Sequence, residues 1–128
     1  MLFTAESKKS VLEIGKLFPE VAARHKFGVL GVHNLKAKMN EKGVAFDRDC
    51  LIFEVCNPQK AKKVLESNMA ISTMLPCRVA VYEENGTTKI ATVRPAAMIA
   101  QFSGADLKSV AEDVEKDLIE IIQDLARQ

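Results

Sequence analysis

The sequence predicts an α+β fold in which helices pack on an antiparallel sheet. Three observations lead there. Long amphipathic stretches stand at both ends of the chain, two alternating runs flank an Asn-Gly pair, and no regular strand–helix–strand alternation calls for a parallel sheet.

Leu2, Phe3 and Thr4 read as a short first strand. Ser7 to Lys26 reads as a helix, because Val11, Ile14, Leu17, Phe18, Val21 and His25 fall on one stripe. Pro19 interrupts it, so a kink or a fresh start is expected there. Gly28 is the expected C-terminal cap. Val29 to His33 is a β-branched strand, and Leu35 to Lys42 a short helix stopped by Gly43. Leu51 to Cys56 is the clearest strand, with Leu51, Phe53 and Val55 on one face and Ile52 and Glu54 on the other. Asn57-Pro58 ends it and starts a helix running to about Asn68, since Asn favours the N-cap and Pro the first turn. Ala61, Val64 and Leu65 should face inward.

Cys77 to Glu83 and Thr88 to Val93 flank Asn85-Gly86, where both residues tolerate positive φ and a tight hairpin follows. Counting outward, Glu84 faces Thr87, Val81 faces Ile90, Val79 faces Thr92 and Cys77 faces Arg94. Pro95 stops the strand, and a helical turn reaches Phe102. Asp106 should cap a last helix over Leu107 to Arg127, whose stripe is Val110, Val114, Leu118, Ile121, Ile122 and Leu125.

At 128 residues the chain suits one domain spanning 1–128, large enough to build a core without staples. Eighteen basic and seventeen acidic side chains nearly cancel, so no general attraction to nucleic acid or to an anionic membrane is expected. No apolar run reaches the ~20 residues that span a bilayer, and the first ten residues lack a secretory core. The expectation is a cytoplasmic protein with reduced thiols. Cys50, Cys56 and Cys77 form neither an even set nor a CxxC pair. Nucleotide-binding glycine loops, GxSxG and HExxH are absent.

Several segments occur together in order: Phe27-Gly28-Val29-Leu30, Glu41-Lys42-Gly43, Glu54-Val55-Cys56-Asn57-Pro58, Leu75-Pro76-Cys77-Arg78-Val79 and Val81-Tyr82-Glu83-Glu84, then the Asn-Gly hairpin and a late proline. In these the chain resembles the domain-of-unknown-function 302 family, from about Lys8 to the last helix. The resemblance implies a β-α-β4-α, TATA-binding-protein-like arrangement and a homodimer, and no agreed activity. Many relatives carry an acid before the late proline where this chain has Arg94. Relatives with a similar Gly-Val-His segment tend to have Asp where this chain has Asn34.

Cys56 stands one residue before a predicted N-cap, where helix-end amides would favour a thiolate or a bound anion. The competing reading is a small cysteine filling a strand-to-helix corner. Cys77 shares its face with Val79 and Val81, which favours burial, yet at a strand end it would join Cys56 in one site. Alternation argues against the pairing, because Cys56 has the parity of Ile52 and Glu54 and only an irregular strand end would bring it round. Arg94, opposite Cys77, would offer charge or would simply be solvated.

No cofactor is evident. A metal is not expected; the weaker alternative is a Cys56, Cys77 and His33 set, with Met69, Met74 and Met98 as conceivable thioether donors. The expected function is a homodimeric module binding a small molecule or anion, or working through a thiol, at the corner of Cys56, Asn57 and Cys77 with Arg94. The alternatives are a structural or interaction domain, a small thiol redox enzyme, and a soft-metal binder.

Overall fold

The computed structural model describes residues 1–102 and 107–128. The first strand, β1, is Leu2–Ser7, longer than the three residues expected. Helix α1 is Val11–Arg24 and starts later than expected. Its start is a reciprocal cap: Ser10 Oγ accepts from the Glu13 N–H and Glu13 Oε1 accepts from the Ser10 N–H, both at 3.1 Å. Ser7 instead closes β1 opposite Thr88.

Pro19 gives no fresh start, since α1 runs through it as one helix with Pro19 on the exposed side. The cap at its far end is not Gly28. Lys26 takes the left-handed turn at φ 65°, the Phe27 N–H bonds the Ala22 carbonyl, and the Lys26 N–H bonds the Ala23 carbonyl. These two bonds satisfy carbonyls that the helix end would leave open. Gly28 is released to begin β2 (Gly28–Asn34).

Asn34 caps α2 (Leu35–Glu41), and β3 is Cys50–Cys56. Asn57 caps α3 (Pro58–Ser67) as expected. A 3-10 helix over Met69–Met74, for which the sequence offers no periodic signal, and a cis Leu75–Pro76 bond lead into β4 (Cys77–Glu84). Then come β5 (Thr87–Val93), α4 (Pro95–Ile99) and α5 (Leu107–Arg127). The expected cap at Asp106 lies outside the described residues.

The five strands form one antiparallel sheet in the order β1-β5-β4-β3-β2. Setting aside α2, α3, the 3-10 helix and α4, which are inserted among the others, the order is β-α-β4-α, and the α+β class predicted from the sequence is the class observed. The hairpin register is as counted at Glu84–Thr87 and Val81–Ile90. The Cys77–Arg94 pairing is not made, because β5 ends at Val93 and turns toward β1, where the Arg94 N–H donates to the Met1 carbonyl at 2.8 Å.

One sheet face carries Leu51, Phe53, Val55, Val79, Val81 and Ile90 against Ile14, Phe18 and Val21 of α1 and Leu118, Ile121, Ile122 and Leu125 of α5. Phe18 and Phe53 stack with ring centroids 4.0 Å apart and planes 2° from parallel. At Gly15, a Cβ would come within 2.8 Å of Leu51 Cδ1, so a larger residue there would have to push the Leu51 side chain aside where α1 approaches β3. A second, smaller cluster joins Val64, Ile71 and Leu107. The first cluster fixes the sheet, and the second holds α3, the 3-10 helix and α5 over one end of it.

His25 completes the α1 stripe as a tie between helices. Its Nε2 lies 2.7 Å from Asp124 Oδ2 and its Nδ1 lies 3.6 Å from Glu120 Oε2, both on α5. The His25 hydrogen bond, aided by Arg127, holds the Asp124 carboxyl below its usual range. A depressed carboxyl stabilises the fold above its unfolded pKa of about 3.9, and that stabilisation is lost as pH falls through the lower folded value. Asp124→Asn is therefore expected to lower the melting temperature at pH 6, by about 1 kcal/mol of stability or less since the pair is partly exposed. The difference from the parent should shrink toward zero on acidification to about pH 2. A difference that stays constant over that range in thermal melts would contradict the assignment.

Candidate functional site

β3 and β4 run side by side with Val55 opposite Cys77, and Cys56 sits opposite Gly28 of β2. Where β3 ends, the chain turns directly into α3, which lies against α5. Between these elements is a half-open cleft of about 40 Å³. It is lined by Phe27, Val55, Val64, Leu75, Ile99 and Val114 together with Cys56, Asn57, Pro76 and Cys77. Cys56 keeps the alternation of β3, yet it and Val55 both line the cleft, which lies at the strand end.

Asn57 does what its position predicted. Its Oδ1 accepts from the Lys60 N–H at 3.2 Å, and its carbonyl accepts from the Ala61 N–H at 2.9 Å. Pro58 has no N–H, so of the first four helical amides only that of Gln59 is left to face another group. A helix end so nearly satisfied has little left for an anion or a thiolate.

The thiols agree with that. Burial pushes the Cys56 thiol up from its ordinary value. Cys77 is pushed up to about 11, by burial first and then by the proximity of Cys56. Both sulfurs are protonated at neutral pH, opposite in direction to an activated thiol. Cys50, at the far end of β3 opposite Tyr82, is also raised by burial.

The cations near the cleft are engaged elsewhere. Lys60 Nζ is 2.5 Å from Asp117 Oδ2. Arg94 is not among the cleft residues. It occupies the N-cap position of α4 without a side-chain cap bond, lies 3.7 Å from Glu115 Oε2 and rests over the Phe3 ring at 5.7 Å. Its neighbour Pro95 lines the cleft instead. His33 is also elsewhere, with its Nε2 2.8 Å from Glu54 Oε1, so the Cys56, Cys77 and His33 set is not assembled. Among the described residues no group of three or more His, Cys, Asp or Glu could hold a metal ion.

The structure therefore brings together Cys56, Asn57 and Cys77 and leaves out Arg94 and His33. Sequence reasoning missed the walls that come from afar: Phe27 from the loop after α1, Pro95 and Ile99 from α4, Ala111 and Val114 from α5. Val114 was legible as part of a stripe, but nothing local told which stripe residues would face a cleft. What remains is a mainly apolar recess whose lining includes two neutral thiols. Such a surface would suit a small apolar group better than an ion, which would be desolvated there without free partners.

The model of the family described as "Domain of unknown function DUF302" matches residues 3–125. No curated protein matches. Among solved structures, the chain is similar to the uncharacterised conserved protein DUF302 from Bacillus stearothermophilus. Identity is 36%, coverage is 98% of both chains and the TM-score is 0.91.

Proposed function

The chain belongs to the DUF302 family, and within that family we propose that it is a homodimeric binding module for a small apolar ligand, taken up in the cleft of Cys56 and Cys77. The observation that carries this reading is the cleft wall itself. Apart from Asn57, which caps α3, and Lys60, which is paired with Asp117, its lining side chains are aliphatic, aromatic or thiol. The anion and activated-thiol versions of the same site draw less support, since the helix end is capped and both thiols are raised. We assign the β-α-β4-α order to the TATA-binding-protein-like arrangement, and place the protein in the cytoplasm. No helix among the described residues is long and apolar enough to cross a membrane.

The homodimer has a candidate surface. On the sheet face opposite α1 and α5, the half-buried Ile52 and Ala80 lie side by side on β3 and β4, next to the buried Ala91 of β5. Glu54, Arg78 and Lys89 flank them, giving the apolar centre and charged rim of a subunit contact. Light scattering at micromolar concentration should give twice the chain mass, and Ala80→Arg should halve it. A parent protein of single-chain mass would remove the dimer from this reading.

Xenon tests the cleft, because it enters apolar cavities without needing polar partners. The parent protein should shift dissolved xenon-129 resonance saturably. Ala61→Leu, which extends a side chain from the cleft wall, should abolish that shift while circular dichroism shows an intact fold. Saturable binding that persists unchanged in Ala61→Leu would overturn the assignment.

A further inference from the structure

Cys77 stands between two clefts. Beyond the apolar one lies a second, of about 260 Å³, whose wall includes Met74, Cys77 and Met98. The three sulfurs come from three elements: Met74 from the end of the 3-10 helix, Cys77 from the start of β4 and Met98 from α4. All three residues are half-buried, so they are neither sealed core filler nor free surface.

The polar groups in that wall are already engaged. The Thr73 hydroxyl donates to the Ala70 carbonyl and the Thr92 hydroxyl to the Arg78 carbonyl, both at 2.8 Å. Arg78 Nε is turned toward Glu54 Oε2 at 3.8 Å. Carboxylate and imidazole groups do not line this cleft; its remaining donors are one thiol and two thioethers. We propose that Met74, Cys77 and Met98 form a site for a soft monovalent d10 cation, Cu(I) or its surrogate Ag(I).

Donor chemistry selects the ion. Thiolate and thioether sulfur favour Cu(I), whereas Mg(II) and Ca(II) require oxygen, and structural Zn(II) sites take four nitrogen, thiolate or carboxylate ligands. Charge selects it too. When the Cys77 S–H bond gives way to a Cu–S bond, one proton leaves to solvent, and one thiolate with one monovalent cation makes a neutral centre. A neutral centre can sit in a half-buried sulfur-lined cleft without an unpaired charge, which a divalent ion would leave behind. No electron is transferred, so the ion must arrive already as Cu(I).

This site is separate from the apolar cleft, sharing only the wall of Pro76, Cys77 and Pro95. Cu(I) titrated anaerobically into the reduced, full-length chain, in competition with bicinchoninate, tests it. The expected result is one Cu(I) per chain, with shifts of the Met74 and Met98 methyl signals and none of Met1, Met39 and Met69. Met74→Leu and Met98→Leu, which keep side-chain volume, should each weaken binding roughly tenfold or more. Ala61→Leu should leave it unchanged, which separates this site from the xenon site. Failure to compete with the chelator would overturn the proposal. So would binding with the Met74 and Met98 methyls unmoved, as a pair of thiols alone would give.

Discussion

Phe53→Ala is expected to cost about 3–5 kcal/mol of stability, the range for removing a buried aromatic side chain from a core that cannot fully collapse. Phe53 lies opposite Val32 of β2 and Val79 of β4, and its ring is stacked on Phe18 of α1. Truncation therefore removes strand packing and helix docking together. At an m-value of about 2 kcal/mol/M in urea, the unfolding midpoint should fall by about 2 M. Leu12→Ala is the control, because Leu12 is exposed on the outer side of the same helix. Its midpoint should move little, by about 0.5 kcal/mol or less. If both variants shifted alike, the stacked pair would not be the anchor of α1 on the sheet.

Cys77 in the native protein is expected to be alkylated by iodoacetamide at pH 8 at least about tenfold more slowly than Cys77 in urea. Two effects compete. A rise from 9.0 to about 11 reduces the thiolate fraction roughly a hundredfold. The more basic thiolate is intrinsically more nucleophilic, and over two units this recovers somewhat under tenfold. Ionisation wins, and restricted access lowers the rate further. Cys50 and Cys56 should also be slowed, since burial raises both. Peptide-resolved mass spectrometry over time measures all three. Native rates equal to or above those in urea would restore the activated-thiol reading and remove the neutral thiols from the cleft lining.

Much of the fold was legible because its signals are local. Asn85-Gly86 sets the hairpin register at Glu84–Thr87, and positive φ at both residues is the reason. Asn57-Pro58 marks the start of α3 because the Asn side chain and the missing Pro donor both suit a helix end. The stripe of Leu118, Ile121, Ile122 and Leu125 needed only helical spacing. The corner of Cys56, Asn57 and Cys77 followed from these pieces.

The misses were non-local or depended on backbone choices with no compositional mark. Lys26 takes a left-handed turn that Gly28, two residues later, was expected to supply. Ser10 and Glu13 carried a capping box that the longer apolar stripe obscured. Arg94 was placed by counting along a hairpin, but β1 occupies the outer edge of β5 and draws the chain away. Alternation gave Cys56 the parity of Ile52 and Glu54 and so counted against its joining Cys77, yet Cys56, the last residue of β3, lines the same cleft as Val55 and Cys77.

The central claim is that the recess beside Cys56 and Cys77 takes up apolar groups. A methyl carbon–proton correlation spectrum of the parent protein under increasing xenon pressure tests it residue by residue. The expected result is saturable shifts of Val55, Val64, Leu75, Ile99 and Val114, with Val32 and Leu30 on the outer strand unmoved. Shifts that grow linearly everywhere, or saturate only at methyls far from that recess, would contradict it.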